Sequence, residues 1–127
     1  MCGIFGYVGK RTDATDLAVE GLKSLEYRGY DSWGVAWKEN GVLSVKKEIG
    51  KISGVDGKLL SNNCSLAIGH TRWATHGGVT KENAHPHLNE DKTIAVVHNG
   101  IVENYQELRD DLKKKGHVFI SETDTEV

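Results

Sequence analysis

Two residues in the first third of the chain restrict its fold more than any others. Asn40-Gly41 follows a stretch in which Trp33, Val35 and Trp37 alternate with Gly34, Ala36 and Lys38, and precedes a second β-prone stretch from Val42 to Glu48. Alternation with a period of two marks a half-buried strand. An Asn-Gly pair between two such runs favours the two-residue turn that closes a hairpin. The pattern predicts an antiparallel hairpin with Trp33 and Trp37 in the core. A hairpin alone is only marginally stable in water and gains stability as part of a wider sheet.

Other segments supply that sheet. Residues 2–9, CGIFGYVG, read as a glycine-rich first strand, and Ser65 to His70 as a buried one with Leu66, Ala67 and Ile68 in succession. Thr93 to His98 and His117 to Ile120 are two further strand candidates. Between the first strand and the hairpin, Ala18, Gly21, Leu22 and Leu25 recur at helical spacing, which predicts a helix from about Asp13 to Glu26 with one stripe on the core. Tyr27 to Ser32 reads as a structured loop, and a short helical turn fits Lys58 to Leu60. A second helix is expected near Asn104. Asn104 and Glu107 form a capping-box pattern, Tyr105, Leu108 and Leu112 a buried face, and Gly116 a stop. Residues 121–126 read as the capped opening of a third helix. Strand, helix, hairpin, strand, strand, helix, strand in that order indicates α+β with mostly antiparallel pairing.

Charge and cysteine usage narrow the functional classes. The 127 residues carry sixteen Lys and Arg against eighteen Asp and Glu, a net charge of −2, which gives no electrostatic case for nucleic acid or an anionic membrane. No apolar run approaches a membrane span and the N-terminus lacks the features of a secretory signal, so a cytoplasmic protein is expected. In that reducing compartment Cys2 and Cys64 are expected to be free thiols.

Three stretches could carry chemistry. Cys2 stands beside the initiator Met1, so removal of Met1 leaves one residue with a thiol, of reference pKa ~8.5, and an α-amine, of reference pKa ~7.7–8.0. A nucleophile and a base are then packaged together, although a small apolar residue on a first strand would look the same. The irregular segment Thr71 to Lys92 holds three of the six histidines and the only proline, and a loop of that length in a small domain is usually functional or disordered. Within its start, Arg72 and Trp73 offer a fork for a carboxylate and an apolar plate, or equally a surface loop with one buried anchor. His70, His76, His85 and His87 match no zinc-ligand spacing, so no metal site is expected. Asn99-Gly100 ends an apolar strand, and is either an ordinary turn or an oxyanion hole built from a side-chain amide and a glycine N–H.

Taken together, Met1 to Gly6, Tyr27 to Ser32, His70 to Gly77, His98 to Gly100 and Ser121 to Val127 resemble, in order and spacing, the glutaminase domain of the glucosamine-6-phosphate synthase family. That family is a branch of the class II glutamine amidotransferases, which are N-terminal nucleophile hydrolases. The resemblance covers Met1 to Val127 and implies the N-terminal part of a four-layer αββα sandwich with antiparallel sheets. Residues 1–127 would then form an incomplete type 2 amidotransferase domain. The implied reaction is hydrolysis of glutamine to glutamate and ammonia, without a cofactor or metal. In the full-length enzyme the ammonia would convert fructose 6-phosphate to glucosamine 6-phosphate.

The roles that the resemblance implies fall on matching positions. Cys2 would be the nucleophile once Met1 is gone, with its α-amine as base through a water, and Asn99 and the Gly100 N–H would hold the oxyanion. Arg72 would take the substrate carboxylate and Asp124 its ammonium. Trp73 would be a lid, Thr75 and His76 would contribute backbone contacts, and Arg28 and Gly29 would lie beside the nucleophile. Fructose 6-phosphate would be met only through isomerase domains absent here, and the parent enzyme would be a homodimer.

Overall fold

Asn40 and Gly41 both adopt positive φ, 51° and 80°, as the tight hairpin turn requires. They join β2 (Ser32–Glu39) to β3 (Val42–Ile49) in the computed structural model, which describes residues 1–127. β1 (Gly3–Val8) and β4 (Leu66–Arg72) complete a four-stranded antiparallel sheet of order β1-β4-β2-β3. β4 is central because it pairs on both edges, with β1 through Gly3↔Thr71 and with β2 through Gly34↔His70.

One face of this sheet carries the core. Helix α1 (Ala14–Lys23) lays Ala14, Ala18, Val19 and Leu22 over Trp33, Val35, Trp37 and Ala67, with Ile52 and Cys64 closing the edges. Gly21 has no room for a side chain because the Phe5 ring lies against it. The helix ends three residues earlier than its periodicity predicts. A 3-10 turn over Glu26–Arg28 then leads into the strand. Trp33 is 4% and Trp37 8% exposed, as the alternation predicts, and both cysteines are free.

The opposite face is where the site forms, and there the chain departs from several sequence expectations. Thr93 to His98 yields only a two-residue strand, β6 (Ala95–Val96), paired with β5 (His87–Leu88). The Asn89 side chain accepts the N–H groups of Thr93 and Ile94, both at 2.8 Å, so a local bond replaces the ladder. His117 to Ile120 is not a strand. Carboxylates take its donors instead, Glu90 bonding the Val118 N–H and Glu126 the Ile120 N–H. The third helical opening is a single 3-10 turn, Asp124–Glu126.

Helix α2 (Tyr105–Lys114) begins and stops where expected, with Gly116 at φ 95° beyond its end. Its capping box does not form. Asn104 makes no side-chain cap bond, and the first turn is closed by backbone bonds from Tyr105 to Val102 and from Leu108 to Asn104. No α2 residue is buried, and of its stripe Tyr105 and Leu112 are half-buried while Leu108 is exposed. Arg109 instead ties the helix back, donating to the carbonyls of Ser121 and Thr123.

Candidate active site

Strand periodicity places the site. Ala67, Gly69 and Thr71 of β4 point toward α1, so Ile68, His70 and Arg72 point the other way. On that side a cavity of about 330 Å³ opens, lined by residues from Cys2, the end of β4, and segments 73–76, 98–101 and 123–125. Cys2, Arg72, Trp73, Thr75, His76, Asn99, Gly100 and Asp124 all line it, so eight of the ten residues singled out in the sequence meet in one place.

The two others stand behind this wall. Gly29 lies flush with the backbone of the next layer, since a Cβ there would sit 2.7 Å from the Arg72 carbonyl carbon and 2.8 Å from the Trp73 nitrogen. Arg28 reaches the Met1 sulfur at 3.7 Å.

Cys2 is half-buried, and its sulfur accepts the Trp73 N–H at 3.3 Å. The Asn99 Nδ2 donates to the Cys2 carbonyl at 3.2 Å, which brings the amide to the residue carrying the thiol across 97 positions of sequence. Trp73 lines the cavity, is 43% exposed, and meets the Tyr30 ring edge-on at 5.6 Å between centroids.

Arg72 is 4% exposed and no carboxylate pairs with it. Its guanidinium donates to carbonyls only, Gly78 at 2.8 Å and His76 more closely, which curls the 73–78 loop around it. Burial pushes its pKa below the ordinary value, partly offset by Cys2, Asp31 and Glu122. A buried guanidinium that no carboxylate pairs and that lines a cavity can take a small anion there. Asp124 also lines the cavity and accepts the Val102 N–H at 2.6 Å through one carboxylate oxygen. Glu122 braces the loop from outside, held ionised below its usual range by hydrogen bonds from Asn83 and the Gly78 N–H.

Sequence reasoning missed a wall of histidines. His70, His85 and His98 line the cavity, with His87 behind them. His70 and His85 stack at 4.2 Å, and His87 meets His85 edge-on at 4.6 Å. Burial lowers the pKa of His70 and of His87 to about 4, and that of His85 to about 2. These rings meet by faces and edges, and no three metal-ligating side chains converge. The period of two along β4 was the available signal, because it puts His70 on the same face as Arg72. Tyr105, expected on a core stripe, instead lines the cavity and bonds His76 Nε2 through its hydroxyl at 3.0 Å.

Comparison with known proteins identifies the family of the chain. The family described as glutamine amidotransferase domain matches residues 42–127. Glutamine–fructose-6-phosphate aminotransferase [isomerizing] from Clostridium perfringens is 57% identical over 129 aligned positions, covering 100% of this chain and 21% of that protein. The enzyme of the same name from Pyrococcus horikoshii is also 57% identical, with the same shares covered. Among solved structures, the allosteric regulatory enzyme of purine biosynthesis superposes with a TM-score of 0.83 at 33% identity, covering 99% of this chain and 28% of that one. The glutamine phosphoribosylpyrophosphate amidotransferase from B. subtilis gives a TM-score of 0.80 at 30% identity, with the same coverage.

Fold and neighbours define the class as the N-terminal nucleophile hydrolase architecture of the amidotransferases, an α+β fold with antiparallel sheets. Within that class the chain belongs to the glutamine amidotransferase domain family. It spans about a fifth of the length of the curated relatives it matches, 21% in both cases above.

Proposed function

We propose that this chain hydrolyses the side-chain amide of glutamine, with Cys2 as nucleophile after loss of Met1. The observation that carries the reading is the convergence of Cys2, Arg72, Asn99, Gly100 and Asp124 on one cavity. Arg72 takes the substrate carboxylate and Asp124 the ammonium, so the amide end is directed toward Cys2. Trp73 covers the mouth, while Thr75 and His76 shape the loop between them. Arg28 and Gly29 set the backbone behind the nucleophile.

The Cys2 α-amine, acting through a water, accepts the thiol proton. The thiolate attacks the amide carbon, and the oxygen that gains the charge is met by the Asn99 amide and the Gly100 N–H. The C–N bond breaks with proton return to nitrogen, ammonia leaves, and water hydrolyses the γ-glutamyl thioester to glutamate.

Residues 1–127 form the glutaminase unit of this reading. Identity of 57% to the glutamine–fructose-6-phosphate aminotransferases, against 33% and 30% to the two solved structures, favours fructose 6-phosphate as the final ammonia acceptor in the whole protein. The sugar would be bound by isomerase domains outside these residues, in a cytoplasmic homodimer. A glutamine-binding unit without turnover is the second reading, favoured by α2, no residue of which is buried. An electrophilic glutamine analogue tests the assignment. Peptide mapping should find a single adduct on Cys2, prevented by excess glutamine, whereas labelling of Cys64 or no protection would refute it.

A further inference from the structure

His98 N–H has no strand partner, because β6 ends at Val96. A buried N–H left unpaired costs about 1–3 kcal/mol, so its partner matters. That partner is His85 Nδ1, at 3.3 Å. We infer that His85 is a positioning residue for the proposed oxyanion turn: by accepting the His98 N–H it fixes the direction in which Asn99 and Gly100 face the cavity. The inference rests on the glutaminase reading and adds to it a residue that touches neither substrate nor thiol.

Everything around His85 restrains the ring. Its backbone lies directly on Gly34 of β2, where a side chain would strike the His85 carbonyl oxygen. One ring face stacks on His70 with 14° between planes, and the edge of His87 closes another side. His87 is itself anchored by Thr123 Oγ1 at 2.7 Å from Nε2. A ring nitrogen that accepts a hydrogen bond carries no proton, so neutral His85 must hold its hydrogen on Nε2. Burial first, then the neighbouring histidines, keep the ring neutral.

The turn that His85 holds is pinned at two other points. His98 Nδ1 meets Thr125 Oγ1 at 3.1 Å, which couples it to the 3-10 turn carrying Asp124. The His98 ring also folds over Gly100, where a Cβ would lie 2.7 Å from Nε2. At the front, Asn99 bonds the Cys2 carbonyl. Oxyanion donors act only within a few tenths of an ångström of their optimum, and their contribution appears in the transition state. Releasing the back of this turn should therefore slow chemistry and spare substrate binding.

His85→Phe keeps the ring and its stacking but removes the acceptor, and His85→Asn places an amide oxygen near the position of Nδ1. In the protein freed of Met1, the Phe variant should lose about tenfold or more in kcat, a fraction of the ~10²–10³ that losing a donor costs. Its KM for glutamine should stay within about twofold, and the Asn variant should recover most of the rate. An unchanged kcat in the Phe variant, or an Asn variant as impaired as it, would overturn the inference. Long-range nitrogen–proton NMR of the wild type gives a readout independent of turnover, with the Nε2–H tautomer and an unprotonated Nδ1 expected at His85. The Nδ1–H tautomer overturns the inference whatever the activity. The expected tautomer in a wild type that does not hydrolyse glutamine overturns the glutaminase reading alone.

Discussion

Asn99 and Arg72 divide the proposed reaction between them, and their substitutions should separate rate from affinity. Asn99 reaches the Cys2 backbone through its side-chain amide, so Asn99→Ala removes one oxyanion donor and leaves the carboxylate site intact. A fall of ~10²–10³ in kcat with little change in KM is expected from steady-state ammonia release. Arg72 has no carboxylate partner, and its two terminal nitrogens donate to the Gly78 and His76 carbonyls. Arg72→Lys keeps the charge and loses the fork, so KM for glutamine should rise by about ten- to a hundredfold while kcat holds better. Equal effects on both parameters in both variants would contradict this division of roles.

At the scale of elements, β4 does most of the work of placing the site. It is paired on both sides, it presents Ala67 and Gly69 to α1, and it delivers His70 and Arg72 to the cavity. Gly34 on β2 is the point where the 82–88 segment rests on this sheet. Gly34→Ala must displace the His85 backbone, so both thermal stability and glutamine hydrolysis should fall. Leu22→Ala, on the opposite face, should lower stability by about 2–5 kcal/mol in denaturant titration and leave KM for glutamine near its original value.

Elements whose pattern is local were legible in the sequence. The Asn40-Gly41 hairpin, the α1 stripe and the Gly116 stop each depend on neighbours in the chain. The short β6 and the unpaired 117–120 segment were not, because Asn89, Glu90 and Glu126 intercept backbone donors that a ladder would use. Within the site, Cys2, Arg72 and Asn99-Gly100 stood out by residue type and position. His85 did not, since its importance lies in a contact with His98 across thirteen residues and in a ring stack that no spacing encodes.

For the whole molecule, the histidine wall makes stability depend on pH. His70, His85 and His87 are held neutral by burial, with pKa values lowered to about 4, 2 and 4 from an unfolded value of 6.5. Below pH 6.5 the unfolded chain binds protons that the folded one does not, so stability is full above that pH and declines as pH falls toward 4. Unfolding at pH 5 should take up roughly three protons from this cluster, measurable as the slope of unfolding free energy against pH. A flat profile between pH 6.5 and 5 would contradict the buried, neutral state. Glu122 and Glu126 have lowered values, so their contribution is lost only below about pH 4.5. The same molecule leaves Ile101, Val118 and Ile120 at least 71% exposed.

The central claim is that an N-terminal cysteine performs the hydrolysis, and glutamate release by protein of known N-terminus tests it most directly. Intact mass spectrometry first sorts preparations that keep Met1 from those that begin at Cys2. Catalytic glutamate release is expected only from the latter, abolished in Cys2→Ala and retained in Cys64→Ala. Hydrolysis that persists in Cys2→Ala, or that proceeds equally with Met1 in place, would contradict the account.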